Sequence, residues 1–138
     1  MKAILIDTDV LMDLLIDRKP FSEHSAEVLR LCETQKTNGY VTPVIISNLY
    51  YLLRKIASHQ KVLTHLKKLL EVIDVVKIDK KSVLLAIDSE FKDFEDALQN
   101  FAAQEHPKIQ AIVTRNIKDY KHSNLAVFTP LEFCKSFS

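Results

Sequence analysis

Ala3-Ile4-Leu5-Ile6-Asp7-Thr8-Asp9-Val10-Leu11-Met12 opens the chain and sets its architecture. Three aliphatic residues run directly into Asp-Thr-Asp, and the apolar pattern resumes at helical spacing through Leu11, Leu14 and Leu15, with Asp13 and Asp17 left for solvent. This pattern predicts a short strand buried on both faces, a tight acidic turn and a helix. Carboxylates at the C-terminal end of such a strand stand where open α/β sheets place their ligands, in the crevice outside the strand ends.

Working outward, 138 residues predict one domain, residues 1–138, long enough to bury a sizeable core. With 47% apolar and 27% charged residues, the chain reads as soluble and globular, without disorder or a membrane span. The opening Met1-Lys2-Ala3-Ile4-Leu5-Ile6 looks like the start of a secretory leader, but Asp7 and Asp9 interrupt the apolar run too early, so a cytoplasmic protein is expected. Cys32 and Cys134 are isolated, which predicts buried thiols rather than a disulfide or a zinc site. A net charge of +1, from 19 basic and 18 acidic residues, leaves any nucleic-acid contact to a local basic patch. Gly39 is the only glycine. Gly-rich phosphate loops need several glycines for close backbone approach, so any phosphate must be handled by metal ions or side chains.

Along the chain, Ser22 is expected to cap a helix reaching about Thr37, stopped by Asn38-Gly39. Tyr40-Val41 reads as a very short strand, and Thr42-Pro43 as the cap and first turn of a helix, apolar nearly all round, in which Asn48 is the odd member. Ser58 opens a helix with Val62, Leu66, Leu69 and Leu70 inward and Lys61, Lys67 and Lys68 outward. Val72–Ile78 is strand-like, and Asp79 caps a helix carrying Val83, Leu84, Ala86 and Ile87. A further helix begins near Asp93 with Asp93, Asp96 and Asn100 on one face. Strands at Ile109–Val113 and Leu125–Phe128 follow, the first running into Thr114-Arg115-Asn116 and the second into a Thr129-Pro130 cap with Glu132 placed for a capping box. The alternation predicts a parallel sheet covered by helices on both faces.

In a parallel sheet the strand ends at Asp7-Thr8-Asp9 and Thr114-Arg115-Asn116 open on one edge, and the helix beginning near Asp93 should start there too. Asp7, Asp93 or Asp96, and Asn116 or Asp119 can then meet. Carboxylates gathered in one cleft repel by a few kcal/mol (~4 at 4 Å and an effective dielectric near 20), so they stay ionised together mainly around a cation, and oxygen ligands favour Mg²⁺ or Mn²⁺. Each residue also has an ordinary structural role open to it. Asp7 and Asp9 are apt helix caps, Asp93 an N-cap, Asn48 a satisfied core amide, Thr114 a strand-end hydroxyl, and Asn116 or Asp119 a turn former.

Taken together, Leu5-Ile6-Asp7-Thr8-Asp9-Val10-Leu11, Phe94-Glu95-Asp96-Ala97-Leu98 and Ile112-Val113-Thr114-Arg115-Asn116-Ile117-Lys118-Asp119-Tyr120 resemble the PIN domain family over essentially the whole chain. The resemblance implies a three-layer α/β/α sandwich around a central parallel sheet, and a Mg²⁺- or Mn²⁺-dependent ribonuclease. Many small bacterial members are toxins of VapBC-type toxin–antitoxin pairs, which implies RNA as substrate, an antitoxin protein as partner and a homodimer. Asp7 matches the first family acid and Asp96 the third. The fourth falls within Thr114–Asp119, where Asn116 holds the position most often acidic and Asp119 is the remaining carboxylate. The second, normally a Glu, is Asn48. An amide can ligate or orient a bound water but brings no charge, so metal affinity should fall.

The resemblance thus assigns Asp7, Asp96 and Asp119 to metal and places Asn48 and Asn116 in the catalytic site, with Thr114 positioning water or ligand, while Arg115, Lys118 and Lys121, beside this edge, are placed to contact substrate phosphate. Two alternatives accompany it. One is a non-catalytic PIN-like module binding RNA or protein through the same cleft; the other is a phosphoacceptor receiver domain.

Overall fold

The computed structural model describes residues 3–137. Met1 and Lys2, part of the leader-like opening, lie outside the described residues. Strand β1, Ala3–Ile6, is fully buried along its length, as its unbroken aliphatic sequence requires of a strand with helices over both faces. It runs into helix α1, Thr8–Leu15, which Asp7 caps through the Thr8 N–H. Then come α2 (Phe21–Glu33), β2 (Asn38–Val41), α3 (Pro43–Leu53), α4 (His59–Leu69), β3 (Asp74–Val75), α5 (Lys80–Ile87), α6 (Phe94–Glu105), β4 (Ala111–Val113), a 3₁₀ turn at Ile117–Tyr120, β5 (Ala126–Phe128) and α7 (Pro130–Lys135). Thr42, Ser58, Asp79, Asp93 and Thr129 cap their helices as the sequence predicts, and Thr129 with Glu132 closes a capping box.

All five described strands are parallel, in the order β3-β2-β1-β4-β5, and seven α-helices flank them. This is the expected α/β/α arrangement. It excludes the receiver alternative, whose sheet runs 2-1-3-4-5. The order reverses at β1, where β2 leaves on one side and β4 on the other, so the crevice between the β1 and β4 ends is the topological switch point. Ile6 pairs with Val113, and the Asp7 N–H donates to the Val113 carbonyl at 3.0 Å. The acidic turn and Thr114 are therefore neighbours by register.

Several expectations need correction. Helix α2 begins at Phe21 with no side-chain cap; Ser22 Oγ instead donates to Asp17 at 2.8 Å. It ends at Glu33, where Gln35 adopts a left-handed conformation (φ 61°) and the Gln35 and Lys36 N–H groups close back onto the Cys32 and Leu31 carbonyls. Gly39 is thus no helix stop. It lies in β2, where a Cβ would come within 2.8 Å of Cys32 Sγ, 2.9 Å of an Ile73 methyl and 3.0 Å of Ile6 Cδ1, so its lack of a side chain lets helix and sheet close together. Helix α3, apolar nearly all round in sequence, buries Ile45, Leu49 and Leu53 but leaves Tyr51 67% exposed. Leu84 and Ile87 of α5 are also exposed. At the sheet's edge only Asp74 and Val75 of the Val72–Ile78 stretch find ladder partners. Cys32 and Cys134 are free, and burial pushes the Cys32 thiol up to about 12. Among the described residues no helix is long and apolar enough to cross a membrane.

Candidate active site

At the end of β1, the Asp7 carboxylate serves two structures at once. One oxygen takes the Thr8 N–H at 2.8 Å and so caps α1; the other accepts the Thr114 hydroxyl at 2.9 Å. Capping and facing the cleft, open alternatives in the sequence, coincide in one side chain. Asp9, in the first turn of α1, gathers the chain leaving β4. Its Oδ2 accepts the Arg115 N–H and the Asn116 amide, each at 3.1 Å, and lies 3.4 Å from the Thr114 hydroxyl. Its Oδ1 is sealed from solvent with no donor.

Asp96 comes from α6, whose N-cap Asp93 holds the Asp96 N–H at 2.9 Å. The Tyr120 hydroxyl, buried beneath the 3₁₀ turn, donates to Asp96 Oδ1 at 3.3 Å. Asn48, half-buried on α3, is not a core amide: it lines the cleft with Tyr51 and Leu52 and donates to Glu95 at 2.8 Å. The cleft thus brings together Asp7, Asp9, Asn48, Asp96, Asn116 and Asp119, with Asp93 and Glu95 on its α6 side.

Electrostatics mark the same residues. Burial chiefly, helped by the charge of Asp119, raises Asp7 against the hydrogen bonds from Thr114 and Thr8 that favour its ionised form. Asp9 is pushed up to about 6 by burial and then by Asp7. Asp96 is pushed up to about 7 by burial and then by the charges of Asp7, Asp93 and Asp119. Burial and the surrounding carboxylates drive the Tyr120 phenol far upward, so it stays a donor.

Arg115 and Lys118, paired in the sequence reading, part company here. The Arg115 guanidinium forks onto Asp13 (2.6 and 3.2 Å) and stacks over the Phe21 ring at 4.1 Å. Asp13, expected in solvent, is fully buried, with Arg18 a further 3.6 Å neighbour. The reason is tertiary: β4 delivers a guanidinium onto that side of α1. Lys118 instead borders a second depression, beside Asp119, together with Lys92 and Lys121. Sequence reasoning missed Glu95, Tyr120 and the buried Asp13. A legible signal existed for the α3 face, since Asn48, Tyr51 and Leu52 stand at i, i+3 and i+4. None existed for the Asn48–Glu95 pair, 47 positions apart.

A parallel α/β/α sheet with raised carboxylates gathered at its switch point defines the class of open α/β domains whose functional crevice lies outside the strand ends. The PIN domain family matches residues 3–118, and the chain belongs to it. The chain is 26% identical to ribonuclease VapC1 of Aquifex aeolicus (strain VF5), over 99% of this chain and 96% of that protein. Among solved structures it resembles a toxin–antitoxin complex from Klebsiella pneumoniae (TM-score 0.69, 22% identity, 92% of this chain and 97% of that one). It also resembles VapBC2 from Rickettsia felis, bound to a DNA fragment from its promoter (TM-score 0.67, 14% identity, 91% and 96%).

Proposed function

We propose that this PIN domain is a Mg²⁺- or Mn²⁺-dependent ribonuclease that hydrolyses RNA phosphodiester bonds in the cytoplasm, and that it is the toxin of a toxin–antitoxin pair. The observation that carries the reading is that Asp7, Asp9 and Asp96 line one cleft at the switch point, each raised by burial and by its neighbours' charge. Such a group is unfavourable to the empty fold and becomes favourable around a cation. The fit to a divalent ion rests on the all-oxygen donor set that Asp7, Asp96 and Asp119 present along one cleft. Among the described residues no three acidic, imidazole or thiol groups already converge to hold a metal. Mg²⁺ bound by one or two carboxylates and several waters does not need three.

In this reading Asp7 and Asp96 would hold the metal, and Asp119 is the further carboxylate on the same cleft available to it. When bound there, a divalent cation would supply the charge that polarises the phosphate and lowers the pKa of an attacking water. The protein's own part is orientation. Thr114 fixes the Asp7 carboxylate and Tyr120 fixes that of Asp96, while Asn116 holds Asp9 and, with Asn48, lines the path of water and ligand. Lys118, Lys92 and Lys121 offer charge to the RNA backbone beside Asp119, and the exposed Tyr51 ring at the cleft gives an unpaired base a stacking surface. Arg115 supports the site by tying the β4 end to α1 rather than by reaching substrate.

The names of the relatives, a ribonuclease and toxin–antitoxin complexes, support RNA and an antitoxin as partners. Exposed Ile56 and Leu63 support self-association as a homodimer, which light scattering tests. The charge-free Asn48 favours a second reading, a module that binds RNA without cutting it. Incubating wild type and Asp96→Asn with a mixed RNA pool and Mn²⁺, with and without chelator, separates the two. Cleavage lost in Asp96→Asn and in chelator is expected. RNA bound but uncut by wild type would overturn the nuclease, and cleavage indifferent to Asp96→Asn would assign it to a contaminant.

A further inference from the structure

We propose that Glu95, held in place by the Asn48 amide, supplies from α6 the metal-binding carboxylate that the family resemblance puts on α3. The assignment rests on the metal-dependent reading above and deepens it. Position 48 brings oxygen but no charge. Its amide nitrogen, however, points neither into the core nor freely to water; it donates to Glu95 Oε2 at 2.8 Å across the gap between α3 and α6. Glu95 directly precedes Asp96, and both line the cleft with Asp7 and Asn48.

Three features distinguish Glu95 from an ordinary acid in a helix's first turn. It has no Lys or Arg partner among the described residues. Its one side-chain hydrogen bond among the described residues comes from another helix, which turns an exposed, rotamer-rich side chain toward the cleft. That bond also leaves Glu95 Oε1 and Asn48 Oδ1 without protein partners among the described residues. The pair therefore offers one charged and one neutral oxygen where a lone Glu on α3 would offer two oxygens and one charge. Asn48 is a positioning residue in this arrangement, because only its amide nitrogen can donate; a Glu at 48 would repel Glu95 instead.

The test is Mn²⁺ titration by calorimetry on wild type, Glu95→Gln, Asn48→Glu, the double variant Asn48→Glu/Glu95→Gln, and Asp7→Asn, with melting temperatures of the metal-free proteins. Glu95→Gln is expected to weaken Mn²⁺ about tenfold with little change in metal-free melting, and the double variant, which returns the charge to α3, to recover to within about threefold of wild type. Asn48→Glu alone should lower the metal-free melting temperature by setting two carboxylates against each other. Mn²⁺ affinity unchanged in Glu95→Gln, while Asp7→Asn loses it, would overturn the Glu95 assignment and leave the metal site standing. Wild type that binds no Mn²⁺ would overturn both.

Discussion

Asp96→Asn should stabilise the metal-free protein, and by an amount that depends on pH. In the folded chain Asp96 is pushed from its ordinary 3.8 to about 7 by burial and by Asp7, Asp93 and Asp119. Below pH ~4 the carboxyl is protonated in both folded and unfolded chains and costs nothing. Between pH ~4 and ~7 the unfolded chain ionises while the folded one holds its proton, so stability falls as pH rises. Above ~7 the whole cost is present. At 1.36 kcal/mol per pKa unit the displacement amounts to ~4 kcal/mol, and because Asp96 is only half buried, solvent screening reduces it to roughly 2 kcal/mol. For a domain of this size that is a rise of about 5–8 °C in Tm at pH 8, shrinking to near zero at pH 4. The assay is thermal unfolding of wild type and Asp96→Asn in chelator from pH 4 to 8.5, then again with Mn²⁺. Mn²⁺ should raise the wild type and barely move the variant. Parallel Tm curves across the pH range would refute the claim that repulsion and burial at Asp96 strain the empty cleft.

Arg115→Ala should cost about 3 kcal/mol, because it strands the fully buried Asp13 with only the more distant Arg18; a loss below ~1 kcal/mol in urea unfolding would mean that the fork onto Asp13 holds nothing in place. Gln35→Gly should add up to ~1 kcal/mol, since Gln35 holds a left-handed conformation that glycine adopts freely; a destabilised variant in the same assay would contradict the closing turn described for α2. Gly39→Ala should cost roughly 1–3 kcal/mol by forcing Cys32, Ile73 and Ile6 apart, and neutral Tm would show that these side chains yield easily.

Features that act over a few residues are legible in the chain alone. Five helix caps were legible because a hydroxyl or carboxylate reaches an N–H at most three positions on, and β1 because a strand covered on both faces must be aliphatic throughout. The PIN-like succession of elements followed, and with it the edge on which Asp7, Thr114 and Asp96 meet. Where several residue types do one local job, the sequence misled: Gln35, not Asn38-Gly39, ends α2, and the one glycine serves packing instead of a turn.

Tertiary structure alone decided which polar groups are buried and what they touch. Asp13 and Asp17 look alike in sequence, yet Asp13 is buried and Asp17 exposed, because Arg115, 102 positions away, arrives beside only the first. Asp96 acquires its raised proton affinity from burial and then from the charges of Asp7, Asp93 and Asp119, and Asn48 its bond from Glu95 on α6. A charge's solvation and its partners depend on distance in space. Periodicity places a residue on a face of its own helix; only the packed sheet sets what stands opposite that face.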